Sequence, residues 1–428
     1  MRYSFYTWLT LLATGVNDQV EGLSLTALYG PGLSESAQVV HASEPGFEEI
    51  TLRWTLYRPP TYYGAIIPAT EADVQHIFHG ITIELSKFNT VELDEGTSQT
   101  TVGGGTRYSE IYEPLFNSGK MMGLGNTACI GAVGATLGGG VGIGQGMFGL
   151  GIDALSSVRL VTATGDLVVA SRAENQDLFW AIRGAGANFG IGTSATFQLH
   201  DAINDGIVAL NVFTYTPGQN RPVWEPLRSY GEDIPDELSF HLSAAVNTFI
   251  VAESDYRGSP AEAERLLRPF LIGPTSVQST TIPWTQIYSA IHNTDQSLCT
   301  PGQYMNKFTI ALKRTDVDTF TTYFNELHAL WDCEERYDGD WLLMRRRLFG
   351  SYYSVPCLDS TTNPWMHDIG ARFQATSGYD ELHAYTNFAQ VDEGPAAWYG
   401  SAKMERLREL KRKRNPKGEF DYHNPVLL

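Results

Sequence analysis

Charge is sparse and one-sided in this chain. Of 428 residues 18% are charged, and 30 Lys and Arg stand against 48 Asp and Glu, for a net charge of −18. So acidic a protein is repelled by nucleic acid and by anionic membrane surfaces, which excludes both as expected partners. Cysteine is scarce too. Cys129, Cys299, Cys333 and Cys357 are far apart and form no Cys-x-x-Cys pair. That excludes a zinc ribbon and a thioredoxin-like motif, leaves disulfides open, and gives no reason to expect a metal. Long apolar runs are missing. The N-terminal MRYSFYTWLTLLATG is a weak secretory signal, too short for a stable membrane span. With no Asn-x-Ser/Thr sequon in the chain, a cytoplasmic location is expected over secretion. P-loop, HExxH and GxSxG patterns are absent as well. The histidines are scattered, and the pair His76/His79 reads as surface positions at a helix end.

What is present is enough for a large core. The chain is 43% hydrophobic and 12% aromatic, which suits a globular protein of two domains or one composite domain. Thr70, followed by Glu71 and Asp73, predicts a helix start. Strands are predicted at 81–85, 91–93, 100–102, 158–163, 167–171 and 189–197, with helices at 107–118 and 175–183. Beyond residue 201 the glycines thin out. Alternating strands follow at 207–215, 238–245, 248–253 and 307–313, with helices at 260–269 and 315–331. From Tyr385 the pattern predicts a strand, a loop and a helix over 402–414. The basic cluster Arg406, Arg408, Lys411, Arg412, Lys413, Arg414 and Lys417 reads as the solvated end of that helix.

The most distinctive segment is GAVGATLGGGVGIGQGMFGLG, with ten glycines in the twenty-one residues from Gly131 to Gly151. Backbone this bare can approach a planar or phosphorylated ligand closely. A GxGxxG pattern is embedded at Gly144, Gly146 and Gly149. The nicotinamide reading of that pattern needs a strand directly before it and a helix directly after. Glycines precede it and a hairpin follows, so a nicotinamide dehydrogenase is not the expectation.

Together these segments resemble the flavin-binding domain of the vanillyl-alcohol oxidase / p-cresol methylhydroxylase superfamily, and within it the fungal berberine-bridge-enzyme-like FAD-linked oxidoreductases. Carrying the resemblance are Cys129-Ile-Gly131, Leu137-Gly-Gly-Gly140, Gly149-Leu150 with Asp153, Val161-Thr-Ala-Thr-Gly165, Asn175-Gln-Asp-Leu-Phe-Trp180, Arg183-Gly-Ala-Gly186 and Asn188-Phe-Gly-Ile191. It continues through Tyr385-Thr-Asn387-Phe388, Tyr399-Gly400, Arg406-Leu407 and Asn415-Pro416 to Asn424-Pro425. The resemblance implies an α+β fold. A two-part FAD-binding domain would occupy 25–200 and 383–428, and an inserted α+β substrate domain with an antiparallel sheet would occupy 201–382. Residues 1–24 would be an extension.

The family's first flavin subdomain holds a second glycine-rich loop ending Gly-Gly-His, whose histidine often bonds to the flavin. Between the helix that starts at Ala69 and the strand 81–85 this chain has only Gln75-His-Ile-Phe-His-Gly80, too short for strand, loop and return strand. The first subdomain is therefore expected to be truncated, and His79 is no substitute. Thr127 stands where a second covalent anchor, a cysteine, would be. Cys129 is expected to pack as a small buried apolar group. Non-covalent FAD follows. A gene prediction that omits an exon would leave the same gap.

The resemblance further implies an FAD-dependent oxidase acting on a small organic substrate, with dioxygen as acceptor. The substrate expected is a secondary metabolite. Tyr385 is the base to test first, and Asn387 would position the substrate or ring. Gly131, Gly134, Gly138, Gly139, Gly140, Gly142, Asp153, Asn188, Gly190 and Ile191 would hold the cofactor. A redox-neutral cyclase, or a flavin-deficient pseudoenzyme that binds a small molecule, is the alternative.

Overall fold

A computed structural model describes residues 24–428 except 57–58, 78–80, 232, 246–248, 292–298, 303–305, 331–338, 345–346, 355–358, 390–391 and 423. The N-terminal apolar stretch, His79, Cys333 and Cys357 lie outside the described residues.

The chain opens with a small sheet of β1 (Gln38–His41), β2 (Gly64–Ile67) and β3 (Ile81–Ile83). β1 and β2 are antiparallel; β2 and β3 are parallel, joined through helix α1 (Glu71–His76). The expected start of α1 is a capping box: the Thr70 side chain accepts from the Asp73 N–H, and Asp73 accepts from the Thr70 N–H. Burial opposes ionisation of Asp73, yet donors from Ser34, Ala69 and Thr70 hold its carboxyl at about 2. Only residues 77–80 separate α1 from β3.

A five-stranded antiparallel sheet follows in the order β4 (Val91–Asp94), β5 (Gln99–Gly103), β8 (Gly190–Gln198), β6 (Leu155–Thr162), β7 (Leu167–Ser171). Helix α2 (Tyr108–Asn117) buries Tyr108, Ile111, Tyr112 and Leu115, the face its spacing predicts. Around the glycine run lie α3 (Ala132–Leu137) and the single turn α4 (Gln145–Phe148). Helix α5 (Gln176–Ala185) breaks helical geometry at Gly184, as expected.

The third sheet has seven antiparallel strands: β12 (Ser276–Pro283), β9 (Ile207–Tyr215), β11 (Phe249–Tyr256), β10 (Leu238–Ala245), β14 (Gly339–Met344), β15 (Arg347–Ser354) and β13 (Asn306–Leu312), in that spatial order. Helices α6 (Arg221–Tyr230), α7 (Val317–Leu330) and α8 (Asp359–Thr376) cover one face. Trp224, Phe320, Ile369 and Phe373 pack there on Phe240 and Leu242. From the other side, Val208, Trp284 and Tyr288 join the core of the five-stranded sheet.

The chain then returns to that first core through Ala384, Ala397, Trp398 and Tyr399 and through α9 (Met404–Arg414). Two expectations need correction here. Residues 386–388 form a 3₁₀ turn, not a strand, because the Phe388 N–H bonds back to the Tyr385 carbonyl at 2.9 Å. The end of α9 is not wholly solvated either. Lys411 is 0% exposed and reaches Asn188 and Asp421, and Lys413 and Arg414 pair with Asp177.

Candidate functional site

The glycine run lies where the first core, the seven-stranded sheet and the returning segment meet. Residues 128–131 are clamped along the start of α2. The Tyr108 and Ser109 N–H groups donate to the Ile130 and Ala128 carbonyls, and the Ala132 N–H to that of Thr106. Gly131 caps α3. A Cβ built on Gly131 or Gly134 would meet nothing within 4 Å, so this turn presents bare backbone to open space.

Past α3 the glycines make room for the returning segment. A Cβ on Gly138 would lie 1.9 Å from Asn387 Oδ1, and one on Gly139, at φ +134°, 3.0 Å from the Tyr385 ring. Gly140 abuts Gly151, and Gly142 abuts the Leu124 carbonyl. Tyr385 and Asn387, the two expected catalytic residues, are thus brought together against Gly138–Gly140.

Three donors converge on the phenol oxygen of Tyr385: the Gly140 and Val141 N–H groups, both at 3.2 Å, and Asn387 Nδ2 at 2.7 Å. Asn387 is oriented by its second N–H, which donates to the Ala135 carbonyl at 2.8 Å. Burial raises the Tyr385 phenol above its ordinary value, and the three donors work against that rise. A second phenol stands close by. Tyr108 is 2% exposed and its hydroxyl is held by Thr136 and the Gly125 backbone. Burial, and then the charge of Tyr385, push Tyr108 upward. One phenol is surrounded by donors suited to an anion, and its neighbour stays protonated. Tyr108 appeared in the sequence only as one apolar-face position of a helix. Its link to residue 385 is a tertiary fact with no local signal.

The remaining expected cofactor residues divide. Asp153 accepts from the Leu150 N–H at 3.0 Å and pairs with Arg183 at 3.2 Å, capping a turn. Asn188 is fully buried. Its amide donates to the Tyr399 hydroxyl and the Asn424 carbonyl, and its oxygen accepts from Lys411 Nζ and the Val426 N–H. With both donors and both acceptor sites used, the side chain ties down the C-terminal segment. Gly190 starts β8, where a Cβ would lie 2.5 Å from the Val161 carbonyl, and Ile191 follows it, paired with Val161. Cys129 is not an isolated apolar group as expected; it forms a disulfide with Cys299, 170 residues away. Spacing alone could not have paired them.

Architecture and site are of a kind that flavin-binding oxidoreductases share, and the comparisons agree. The profile of a family described as FAD binding domain matches residues 66–171. Similar along nearly the whole length are two FAD-linked oxidoreductases, azaL of Aspergillus niger (35% identical, covering 91% of this chain and 95% of that one) and tazL of Aspergillus terreus (35%, 95% and 94%). Among solved structures, Physcomitrella patens BBE-like 1 superposes with a TM-score of 0.81 at 20% identity over 95% of this chain and 100% of that one. The xylooligosaccharide oxidase from Myceliophthora thermophila gives 0.80 at 19%, over 94% and 99%.

The chain belongs to the FAD-linked oxidoreductases, with the fold of the BBE-like structure. It is an α+β oxidoreductase whose cofactor is FAD, with a shortened first subdomain and a second part built on an antiparallel sheet. The azaL alignment runs over 450 residues yet takes in only 91% of this 428-residue chain, so that relative carries aligned residues missing here. The residues present fit FAD at the open backbone of Gly131 and Gly134, which a phosphate or flat ring can approach. Among the described residues no helix is long and apolar enough to cross a membrane. No cluster of His, Cys, Asp and Glu among them could hold a metal.

Proposed function

We propose that the protein is an FAD-dependent oxidase that takes a hydride and a proton from a small organic substrate, with Tyr385 as the base. The convergence of three donors on the Tyr385 oxygen carries this reading. A phenol so surrounded can lose its proton inside the protein, because the donors stabilise the oxyanion as it forms. Once ionised, the Tyr385 oxygen receives the substrate proton, and Asn387 and the two backbone N–H groups hold the ring in place for it. FAD, when bound, supplies the hydride acceptor and the route for electrons to dioxygen. Gly131 and Gly134 would hold it through the backbone, with Gly138–Gly140 and Gly142 shaping the wall that carries Tyr385 and Asn387. Binding is non-covalent in this reading: Thr127 occupies the position of the cysteine anchor, and Cys129 is spent in a disulfide.

The two-part division supports a flavin domain over 25–200 and 383–428 and a substrate domain over 201–382. The fungal relatives support a secondary metabolite as substrate. The Cys129–Cys299 bridge supports maturation in an oxidising compartment, against the cytoplasmic expectation.

The test is flavin absorbance of purified protein before and after acid precipitation, with oxygen uptake measured on candidate substrates. Yellow protein that releases its flavin to the supernatant and consumes oxygen is expected. Colourless protein that FAD cannot reconstitute overturns the oxidase reading and favours the pseudoenzyme.

A further inference from the structure

The two faces of the seven-stranded sheet differ in character along β10. Along β10, Leu238, Phe240 and Leu242 enter the apolar core under the helices. The alternate residues Ser239, His241 and Ser243 are equally buried but polar, and they point the other way, toward the glycine run. On β11 and just past its end, Asp255 and Arg257 occupy that same face, 4% and 3% exposed. A buried sheet face built from Ser, His, Asp and Arg is poor core material and good material for the wall of a binding site.

Arg257 is the centre of this wall. Its guanidinium sits against Gly144, where a built Cβ would come within 3.4 Å of Cζ and Nη2. It donates to the Tyr288 hydroxyl. It stands 3.4 Å from Asp255 Oδ2 through Nε, but that contact lacks hydrogen-bond geometry. Nε of Arg257 and Oδ2 of Asp255 are both buried without a hydrogen-bond partner among the described residues, and so is Oε1 of Gln145, next to Gly144 in sequence. Buried polar atoms are nearly always satisfied in native proteins; here Nε and Oδ2 have only their poorly aligned ion pair and Gln145 Oε1 has no partner, so the seam beside Gly144 suits a polar occupant. Burial also disfavours the charge of Asp255, which leaves the guanidinium as the stronger charge.

The seam reaches α2 through Tyr288. Tyr288 stacks on Tyr112 with ring centres 4.3 Å apart and planes within 12°. Tyr288 also acts electrostatically on Tyr108, as Tyr385 does. Arg257 is thus linked through Tyr288 to Tyr112 on α2, the helix that also carries Tyr108.

We infer that Arg257 anchors an oxyanion of the substrate, a carboxylate or an acidic enol carried on a flat conjugated skeleton, with Gln145 accepting or donating beside it. This rests on the oxidase reading above, because it names the substrate class for that same site.

Calorimetric titration of the FAD-reconstituted full chain tests it. The probes are benzoate for a carboxylate, 5,5-dimethylcyclohexane-1,3-dione for an acidic enol, and benzamide as the neutral control. At least one anion should bind, with benzamide tenfold weaker or worse. Arg257→Met should lose tenfold or more, and Arg257→Lys less. If Arg257→Met does not fold, Gln145→Met gives the same reading with a smaller loss. The inference fails if neither anion binds the wild type, if benzamide binds equally well, or if the arginine variant keeps full affinity. It also fails if Arg257→Met lowers only the melting temperature while the wild type binds nothing, since Arg257 is then an interdomain latch. Flavin content measured on the same samples, with Tyr385→Phe turnover, separates this failure from failure of the oxidase reading.

Discussion

Asn387 Nδ2 lies 2.7 Å from the phenol oxygen of Tyr385, two residues away and on the same side of a 3₁₀ turn. The pair is held from outside by the Ala135 carbonyl and by the Gly140 and Val141 N–H groups. Removing Asn387 takes one donor from the tyrosinate form. Asn387→Leu should therefore raise the Tyr385 pKa, and the limb of kcat/KM that rises with pH should move upward. At neutral pH roughly 10- to 100-fold of activity is lost, and part of it returns in alkali. Tyr385→Phe should cost roughly 10²- to 10⁴-fold with no alkaline recovery. A pH–rate profile that falls in both variants without shifting would show that the asparagine merely packs.

Gly138 and Asn387 fit only because position 138 has no Cβ; one placed there overlaps the Asn387 amide. Gly138→Ala should displace Asn387 and cost about 1–3 kcal/mol of stability, the range for overpacking. Combined with Asn387→Ala the penalty should shrink. A double-mutant cycle by urea unfolding checks this, and strict additivity would contradict the contact.

How much of this was legible in sequence follows from the range of the interactions. The Thr70 cap, the buried face of α2 and the break at Gly184 are written within a few residues, and the structure has each. The glycine run announced close approach, but it could not say by what. Part of it receives Tyr385 and Asn387, over two hundred residues away. Asn188 looked like a cofactor residue because it belongs to a motif; its partners at 399, 411, 424 and 426 are visible only after folding. Lys411 hid in a basic cluster for the same reason.

That hub is a stability element. Lys411 is completely buried and bonded to Asn188 Oδ1 at 3.0 Å and to Asp421. Lys411→Met takes one of the two donors from the Asn188 oxygen and the cation from the partly exposed Asp421, a loss of about 1–3 kcal/mol. The C-terminal segment that carries Tyr385 and Asn387 on its inner side should loosen, and reconstituted FAD should be lost at lower temperature. Thermal unfolding followed by flavin fluorescence reads both events. An unchanged melting temperature would contradict the hub.

The Cys129–Cys299 bridge joins the loop before α3 to the connection between β12 and β13. By chain entropy, closing so long a loop is worth about 3–5 kcal/mol. Reduction, or Cys129→Ser, should lower the melting temperature, and titration should count at least two more free thiols after reduction, or one more in the variant, than in the oxidised wild type. Equal melting temperatures in oxidised and reduced protein would remove the bridge as a stabilising element.

Tyr399 gives the alkaline behaviour a defined window. Burial pushes its phenol up to about 12, against a hydrogen bond from Asn188 that works downward. In the unfolded chain it titrates near 10. Below pH 10 both states hold the proton and this group's contribution is complete. Between 10 and 12 the unfolded chain releases the proton while the folded protein keeps it, so the unfolded state gains and stability falls with rising pH. Two pKa units correspond to about 2–3 kcal/mol lost across that window. Tyr108 and Tyr288, also raised by burial, add to the slope. Urea midpoints should therefore be level through the neutral range and drop steeply above pH 10. Tyr399→Phe should start less stable, since Asn188 loses a partner, but its slope above pH 10 should be visibly shallower. A variant that falls as steeply as the wild type would place the alkaline transition on the other tyrosines.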